Sequence, residues 1–477
     1  MTASVDTPDL LKVLRPHGQE HVVAFWDELN DAQRRKLAAQ VADIDLELIV
    51  SLFRGEVDQP DWAELARRAQ PPAAFPLDAR RSGAAAAWGA TPQQAQQRGV
   101  PAPRDGKVGV LLTAGGQGSR LGFDKPKSMY PIGPLSNATL LQIHCEKVRA
   151  AARRYGRPVR MYLMTSPVTH DDTIAFVKAN DRFGLLEDEL TVFCQGTMPA
   201  VDAQTGQLLL EAKDSLFLSP DGHGGTVAAL AASGAIEHMR QYGVEQLFYL
   251  QVDNPLAPVC DAEFIGHHLL AGSQLSSLAV EKQSAQDKLG NFVMIDGRLH
   301  VIEYSDFPAD VAKQTDARGG LRFWAGSVAI HMFDRAFLER SLGLKDSLPF
   351  HVAHKKAEFI DERGQLVKPE TPNSLKFERF IFDLLPHAQR PIVVEYAEAE
   401  SFAPLKNAPG EPKDTPEYVQ RFMLEQHRRW LEAAGAKLAE GVQIEISPLF
   451  AMDARQTAEI VMPGRVFEKS EYLKGDA

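Results

Sequence analysis

The stretch VGVLLTAGGQGSRLGFDKPKSMYPIG, residues 108–133, decides how the rest of the chain is read. Val108 to Thr113 is a short apolar run of the kind that forms a strand buried on both faces. It leads directly into a loop that carries Gly115, Gly116, Gly118 and Gly122, interleaved with Arg120, Lys125 and Lys127. Glycine lets a backbone approach a ligand closely and take positive φ, so successive N–H groups can converge on phosphate oxygens. The cations can then offset the remaining negative charge. From these residues alone the loop fits an anion cradle or a tight turn with solvated charges.

Spacing excludes two familiar phosphate motifs. A dinucleotide fingerprint needs G-x-G-x-x-G, and counting from Gly116 and Gly118 the third glycine position holds Leu121. A Walker A loop needs glycine directly before Lys and Ser or Thr, whereas Lys127 and Ser128 follow Pro126. A dehydrogenase reading fails on the same count.

Outward from this stretch, short apolar runs alternate with helical periods. VRMYLMTS (159–166) and QLFYLQVD (246–253) read as strands; TLLQIHCEKVRAAARRY (139–155), HDDTIAFVKAN (170–180) and GTVAALAASGAIEHMRQY (225–242) read as helices. Such alternation predicts an α/β fold with a doubly wound, mainly parallel, Rossmann-like central sheet, whose ligands bind at the carboxyl ends of the strands. Upstream, Leu37, Val41, Ile44, Leu48 and Leu52 share one helical face, and Asn30 is placed to cap a helix, so the N-terminal region is expected to be helical. Residues 70–105, rich in Pro, Ala and Gly, read as a connector with room for one short helix. Past about 390 come a Pro-rich loop (404–418), a helix (418–434) and strand-like pieces in VQIEISP (442–448). The expected division is a helical region and connector over 1–104, a catalytic sheet domain over 105–390 and a small C-terminal domain over 391–477.

Composition narrows the partners. In 477 residues, 44% are hydrophobic, which excludes disorder throughout, and 52 Lys and Arg face 63 Asp and Glu, for a net charge of −11. Proteins that bind nucleic acid or an anionic membrane surface usually carry the opposite balance, so neither is expected as a main partner. Any anionic ligand must be met by local cations. Cys145, Cys194 and Cys260 are too few and too scattered for a disulfide framework or a zinc finger. His351 with His354, and His267 with His268, lack a third ligand at zinc spacing. With a polar N-terminus and no run of about 20 apolar residues, a cytoplasmic protein is expected.

The loop AGGQGSRLGFDKPKSMYPIG (114–133) resembles the signature of the eukaryotic-type UDP-sugar pyrophosphorylases, most closely their N-acetylhexosamine branch. The likeness continues in the family's order through FCQGTMPAV (193–201), SPDGHGGTVAAL (219–230), YLQVDNPLAPVCDAEFIG (249–266), VIEYSD (301–306), RFWAGSVAIHMF (322–333), LPFHVAHKK (348–356), KFERFIFD (376–383) and FAPLKNAPG (402–410). It spans about 300 residues.

The resemblance implies transfer of uridylyl from UTP to a sugar 1-phosphate, with N-acetylglucosamine 1-phosphate as the acceptor and direct in-line attack on the α-phosphorus. UTP:glucose-1-phosphate transfer or a broad-specificity pyrophosphorylase is the alternative, and a non-catalytic nucleotide-sugar-binding protein a remoter one. Residue by residue, it places Thr113, Ala114, Gly115 and Gly116 where backbone amides meet the uracil, and Arg120 and Lys127 on the triphosphate. Lys125 falls at a variable position. Gln195 would read the uracil edge, since an amide offers a donor and an acceptor side by side; Gly222 would lie near the same base. Asp253, closing an apolar strand, would hold Mg²⁺, which prefers one or two carboxylates plus phosphate oxygens. Glu303 and Tyr304 would contact sugar hydroxyls, Lys376 a phosphate, and Lys406 the sugar phosphate. His223 and Ser327 stand where the family usually has asparagines near the sugar, and Ser119 where it usually has Thr. By analogy with the family, the C-terminal unit is a candidate for self-association into a homo-oligomer.

Overall fold

The computed structural model describes residues 7–57, 59–344 and 348–475. Among them ten strands form one sheet: Ala74–Phe75 (β1), Val108–Thr113 (β2), Arg160–Thr165 (β3), Leu190–Cys194 (β4), Gln246–Gln251 (β5), Leu275–Glu281 (β6), Gly290–Ile295 (β7), Arg298–Ile302 (β8), Ala325–Asp334 (β9) and Ile392–Glu395 (β10). Their order is β1-β10-β6-β9-β5-β2-β3-β4, and the β7–β8 hairpin pairs with β9. The decisive strand β2 lies parallel between β5 and β3, with Val110 opposite Phe248 on one side and Met161 on the other. Along both β2 and β5 every residue but the last is buried, which is what a strand covered on both faces requires. Only β9, antiparallel to β5, β6 and β7, departs from a parallel or hairpin arrangement. The fold is α/β around a mainly parallel sheet.

Local chemistry sets the helix limits. Thr139 caps the helix Leu140–Tyr155, its hydroxyl accepting from the Gln142 amide, and Gly156 ends it at φ 71°. The single helix expected over 225–242 is two, Thr226–Ala232 and Ala235–Gln241, because Gly234 at φ 76° takes a conformation no helix propagates. The expected strands over 159–166 and 246–253 end one or two residues sooner, at Thr165 and Gln251.

Residues 70–105 correct the reading as a connector with a single short helix. They supply β1, which pairs parallel with β10, and three helices, Leu77–Arg81, Pro92–Gly99 and Pro101–Arg104. Two of the prolines that suggested a breaker instead start helices: Pro92 follows Thr91, which forms a capping box with Gln94, and Pro101 opens the next. Helix Pro92–Gly99 crosses helix Ala262–Ala271 backbone to backbone. A Cβ on Gly99 would fall 1.7 Å from the Ala262 carbonyl oxygen, and one on Gly266 1.7 Å from that of Ala95. Glycine alone permits this crossing.

The chain forms two compact units. One comprises Met1–Asp61, Gln195–Thr226 and Asp346–Asp383; the other comprises Trp62–Cys194, Val227–Lys345 and Leu384–Ala477. In the first, helices Asp31–Ala42 and Leu46–Arg54 share a core of Leu37, Val41 and Ile49 with Val201, Leu216 and Phe377. Asn30 caps the earlier helix as expected, accepting from the Ala32 and Gln33 amides. The second unit holds the ten-stranded sheet, which takes β1 and β10 from either side of residues 105–390. It also contains a small C-terminal core built from helix Pro416–Ala433 and strands including Ile444–Ile446 and Glu471–Leu473.

Candidate active site

In the sheet-bearing unit, the carboxyl ends of β2, β3 and β5 are knit together. Val252 donates its amide to the Thr113 carbonyl (3.0 Å), and Ala114 donates to that of Met164 (2.7 Å). The Ala114 amide is thereby spent within the sheet. Of the expected run Thr113–Gly116, Thr113 is tied to the neighbouring strand ends through its carbonyl and Ala114 through its amide. The Ser166 hydroxyl donates to the Gly115 carbonyl at 2.7 Å and steadies the loop from β3.

Lys127 is drawn back over this end by its own amide, which donates to the Gly116 carbonyl (3.0 Å). Its ammonium lies 3.6 Å from an Asp253 carboxylate oxygen and donates to the Leu405 carbonyl at 3.2 Å. Both side chains are mostly buried, with 19% and 13% of their surface exposed, so solvent screens the pair weakly. Leu405 in turn donates its amide to the Asp253 carbonyl (2.8 Å), and the next residue, Lys406, donates its amide to Asp414 (2.8 Å). Burial raises the Asp414 carboxyl above the usual carboxylate range; Lys406 and Lys413 oppose the rise and Asp253 adds to it. Lys127, Asp253 and Lys406 are therefore neighbours, although Lys406 is 279 positions from Lys127 in sequence. Arg120, in the 3₁₀ turn Ser119–Leu121, is exposed, as is Lys125.

A second cluster in the same unit joins the residues assigned to the sugar. Ser327 on β9 is opposite Gly290 on β7 and Ala279 on β6. A Cβ at Gly290 would meet Val301 at 2.7 Å, a Glu303 carboxylate oxygen at 3.2 Å and Ser327 at 3.7 Å, so glycine at 290 leaves space for all three side chains. Tyr304 is exposed at 47%. On the other side of the strands the buried Lys282 ammonium donates to the Asn291 side-chain oxygen (2.7 Å), and burial lowers its pKa.

The other unit holds Gln195, Gly222, His223 and Lys376. Gln195 is buried and leads into strand Thr197–Pro199, which pairs antiparallel with Leu218–Pro220. Beyond it, Gly222 sits at φ 79°, and a Cβ there would lie 2.3 Å from the Arg379 carbonyl oxygen. The His223 ring stacks on Phe380 at 5.0 Å, and its Nδ1 accepts the Ile381 amide (3.0 Å), which fixes the neutral tautomer protonated on Nε2. Burial, aided by His351, pushes its pKa down to about 4. Burial also pushes Asp221 up to about 6, with Arg379 pulling the other way. Lys376 lies on strand Ser374–Glu378 with its ammonium 5.0 Å from the centre of the Phe217 ring; burial lowers its pKa too.

Residues 91–456 match the family of UTP–glucose-1-phosphate uridylyltransferases. A mouse protein, UDP-N-acetylhexosamine pyrophosphorylase-like protein 1, is 34% identical over 98% of this chain and 97% of its own length. The chain belongs to the UDP-sugar pyrophosphorylase family. Within that family, UDP-N-acetylglucosamine diphosphorylase 2 of Arabidopsis thaliana is 34% identical over 96% of this chain and 92% of its own. The crystal structure of the Trypanosoma brucei uridine diphosphate N-acetylglucosamine pyrophosphorylase in complex with inhibitor superposes with a TM-score of 0.81. It covers 96% of this chain and 95% of its own at 26% identity.

Against this family background, the structure adds Ser166 and Asn254 to the residues that shape the strand ends. Ser166 is the last residue of the strand expected over 159–166, and Asn254 directly follows the marked aspartate. Position beside a marked strand end was the signal available. Among the described residues no group of three or more His, Cys, Asp or Glu is placed to hold a metal ion. A lone Asp253 still suits Mg²⁺, whose remaining positions are filled by water and phosphate oxygens. No helix among the described residues is long and apolar enough to cross a membrane.

Proposed function

We propose that the protein is a UTP:N-acetylglucosamine-1-phosphate uridylyltransferase, releasing pyrophosphate and UDP-N-acetylglucosamine. The observation that carries this reading is the meeting of Lys127, Asp253 and the Lys406 segment at the carboxyl ends of β2 and β5, in a member of this family. Two anionic substrates must be brought together there by a protein of net charge −11, and this is where it gathers cations.

A phosphate oxygen of the sugar 1-phosphate attacks the α-phosphorus of UTP, the bond to the β-phosphate oxygen breaks, and pyrophosphate leaves with the electron pair. Such chemistry needs positioning and charge neutralisation rather than a nucleophilic side chain. Lys127 and Arg120 neutralise the triphosphate and the departing pyrophosphate, and Lys406 orients the attacking phosphate. Gly115 and Gly116 present amides to the nucleotide; by family likeness Gln195 and Gly222 serve the uracil, Lys376 a phosphate, and Glu303 and Tyr304 the sugar hydroxyls. Mg²⁺ held by Asp253 would supply Lewis-acid neutralisation of phosphate oxygens. The Asp253 carboxylate lies 3.6 Å from the Lys127 ammonium. We place the enzyme in the cytoplasm.

Glucose 1-phosphate is the second acceptor to test, because Ser327 is short and His223 is committed to Ile381 and Phe380. Purified protein with UTP, Mg²⁺ and each of several sugar 1-phosphates is assayed for pyrophosphate release. Release is expected to be fastest with N-acetylglucosamine 1-phosphate. Faster release with glucose 1-phosphate overturns the acceptor, and no release with any sugar overturns the enzyme.

A further inference from the structure

We propose that Asn254 is a positioning residue that latches the segment carrying Lys406 to the strand end carrying Asp253; this rests on the catalytic reading of Lys406 given above. Asn254 is 2% exposed and its amide works in both directions. The Nδ2 group donates to the Ser401 carbonyl at 2.8 Å, while Oδ1 accepts the Ala403 amide at 3.1 Å and the Leu256 amide at 3.3 Å. One side chain thus holds two carbonyl-spaced points of the incoming segment and its own turn.

Next to this latch, Leu405 donates to the Asp253 carbonyl and accepts from the Lys127 ammonium. Residues 401–405 are all buried, and exposure begins to rise at Lys406. The segment is therefore fixed through Leu405, with the Lys406 amide held in turn by the Asp414 carbonyl, and Asn254 supplies the only side-chain bonds described between residues 401–403 and the turn after β5. An aspartate could accept the two amides but would set a carboxylate against the Ser401 carbonyl; a serine or threonine could not span both points. A donor and an acceptor on one short side chain are needed here. Removing it leaves Ser401 and Ala403 with unpaired buried backbone groups and frees the Lys406 segment to shift, and displacement of about 1 Å is enough to slow a positioned reaction roughly a hundredfold.

The test is a double-mutant cycle on the full-length protein, read by pyrophosphate release with UTP and N-acetylglucosamine 1-phosphate. Asn254→Ala is expected to lower kcat/KM for the sugar phosphate at least tenfold. In a Lys406→Ala background the same change should cost less than threefold, because the residue it positions is gone. Circular dichroism and thermal melting establish that each variant is folded. Should Asn254→Ala fail to fold, Asn254→Ser, which keeps a polar group in the turn but cannot span both points, carries the same cycle. Equal factors in the two backgrounds overturn the latch while leaving the catalytic reading intact, as would normal turnover of a folded Asn254→Ala. Normal turnover of Lys406→Ala alone overturns the catalytic reading and the latch with it.

Discussion

Two glycine-rich loops in this chain look alike in sequence and differ in what the glycines are for. In AGGQG the glycines divide: a Cβ on Gly118 would fall 2.7 Å from Phe123, but one on Gly116 would meet nothing nearer than the Lys127 side chain, at 4.0 Å, so that glycine faces open space beside a cation. In PDGHGG, every glycine is filled by protein. Cβ atoms on Gly222, Gly224 and Gly225 would fall 2.3 Å from the Arg379 carbonyl oxygen, 2.5 Å from its carbonyl carbon and 2.1 Å from an Asp221 carboxylate oxygen. At Gly116 the first loop keeps its backbone open. The second uses missing side chains to pack a turn against the neighbouring strand end. Glycine content alone cannot separate the two; the partners of the adjacent polar groups can.

The largest effect is expected where the open loop meets charge. Lys127→Ala or Asp253→Ala should lower turnover about a thousandfold while the circular dichroism spectrum is retained, because each removes charge stabilisation from a weakly solvated site. Steady-state pyrophosphate release measures this. Activity within threefold of wild type in either variant would remove the basis for calling the first loop the reactive one.

The comparison itself is broken or sharpened by placing the same substitution in both loops. Gly222→Ala meets both a 2.3 Å clash and φ 79°, and should cost about 3 kcal/mol or more in stability, read as the shift in a urea unfolding midpoint. Gly116→Ala should stay within about 0.5 kcal/mol of wild type, yet lose activity because the added methyl stands where the nucleotide backbone contact is made. If both variants destabilise equally, the two loops are doing the same structural job.

How much of this was legible beforehand follows from the same physics. The α/β class, the sheet centre at Val108–Thr113 and the strand ending near Asp253 were readable because strands buried on both faces leave continuous apolar runs. The structured stretch 70–105 was not, since Pro92 and Pro101 at helix starts look identical to prolines that break helices, and Gly99 owes its place to a partner, Gly266, far along the chain. Asp253 stood out by its strand end, whereas the loop offered Arg120, Lys125 and Lys127 alike and resemblance singled out the first and last. Lys406 by itself was an ordinary loop lysine; resemblance singled it out, and the bond from Leu405 to Asp253 supplies the physical reason. The His223 tautomer needed coordinates, because the acceptor role of its ring depends on Ile381, 158 residues away.

That packed loop carries a pH signature of its own. Unfolded, His223 titrates near 6.5; folded, near 4. Between those values the unfolded chain binds more protons, so the stability this residue contributes is present above pH 6.5 and lost as pH falls toward 4. Asp221 works the other way, its folded pKa near 6 standing above an unfolded 3.8, so its cost is full above pH 6 and relieved on acidification. His223→Asn removes the first contribution and leaves the second. Wild-type stability relative to this variant should fall by up to about 1.4 kcal/mol per pH unit between pH 6.5 and 4, measured by urea unfolding at several pH values. A difference independent of pH would mean that His223 is not held neutral.

The smallest effect is predicted inside the open loop, at Lys125. Its charge equals that of Lys127 two residues away, and a view of the loop as a diffuse positive patch would make the two interchangeable. The structure separates them. Lys127 is mostly buried and touches Asp253 and Leu405, whereas Lys125 is exposed and contributes its carbonyl to the Gly118 amide, a bond any residue could make. At an ionic strength of about 0.15 M an exposed charge is largely screened beyond roughly 8 Å. Lys125→Ala should therefore change kcat/KM for UTP by less than about threefold and leave the melting temperature nearly unchanged. A loss approaching that of Lys127→Ala would show that the loop acts through its summed charge, and that the geometry of Lys127 against Asp253 is not what selects the reactive cation.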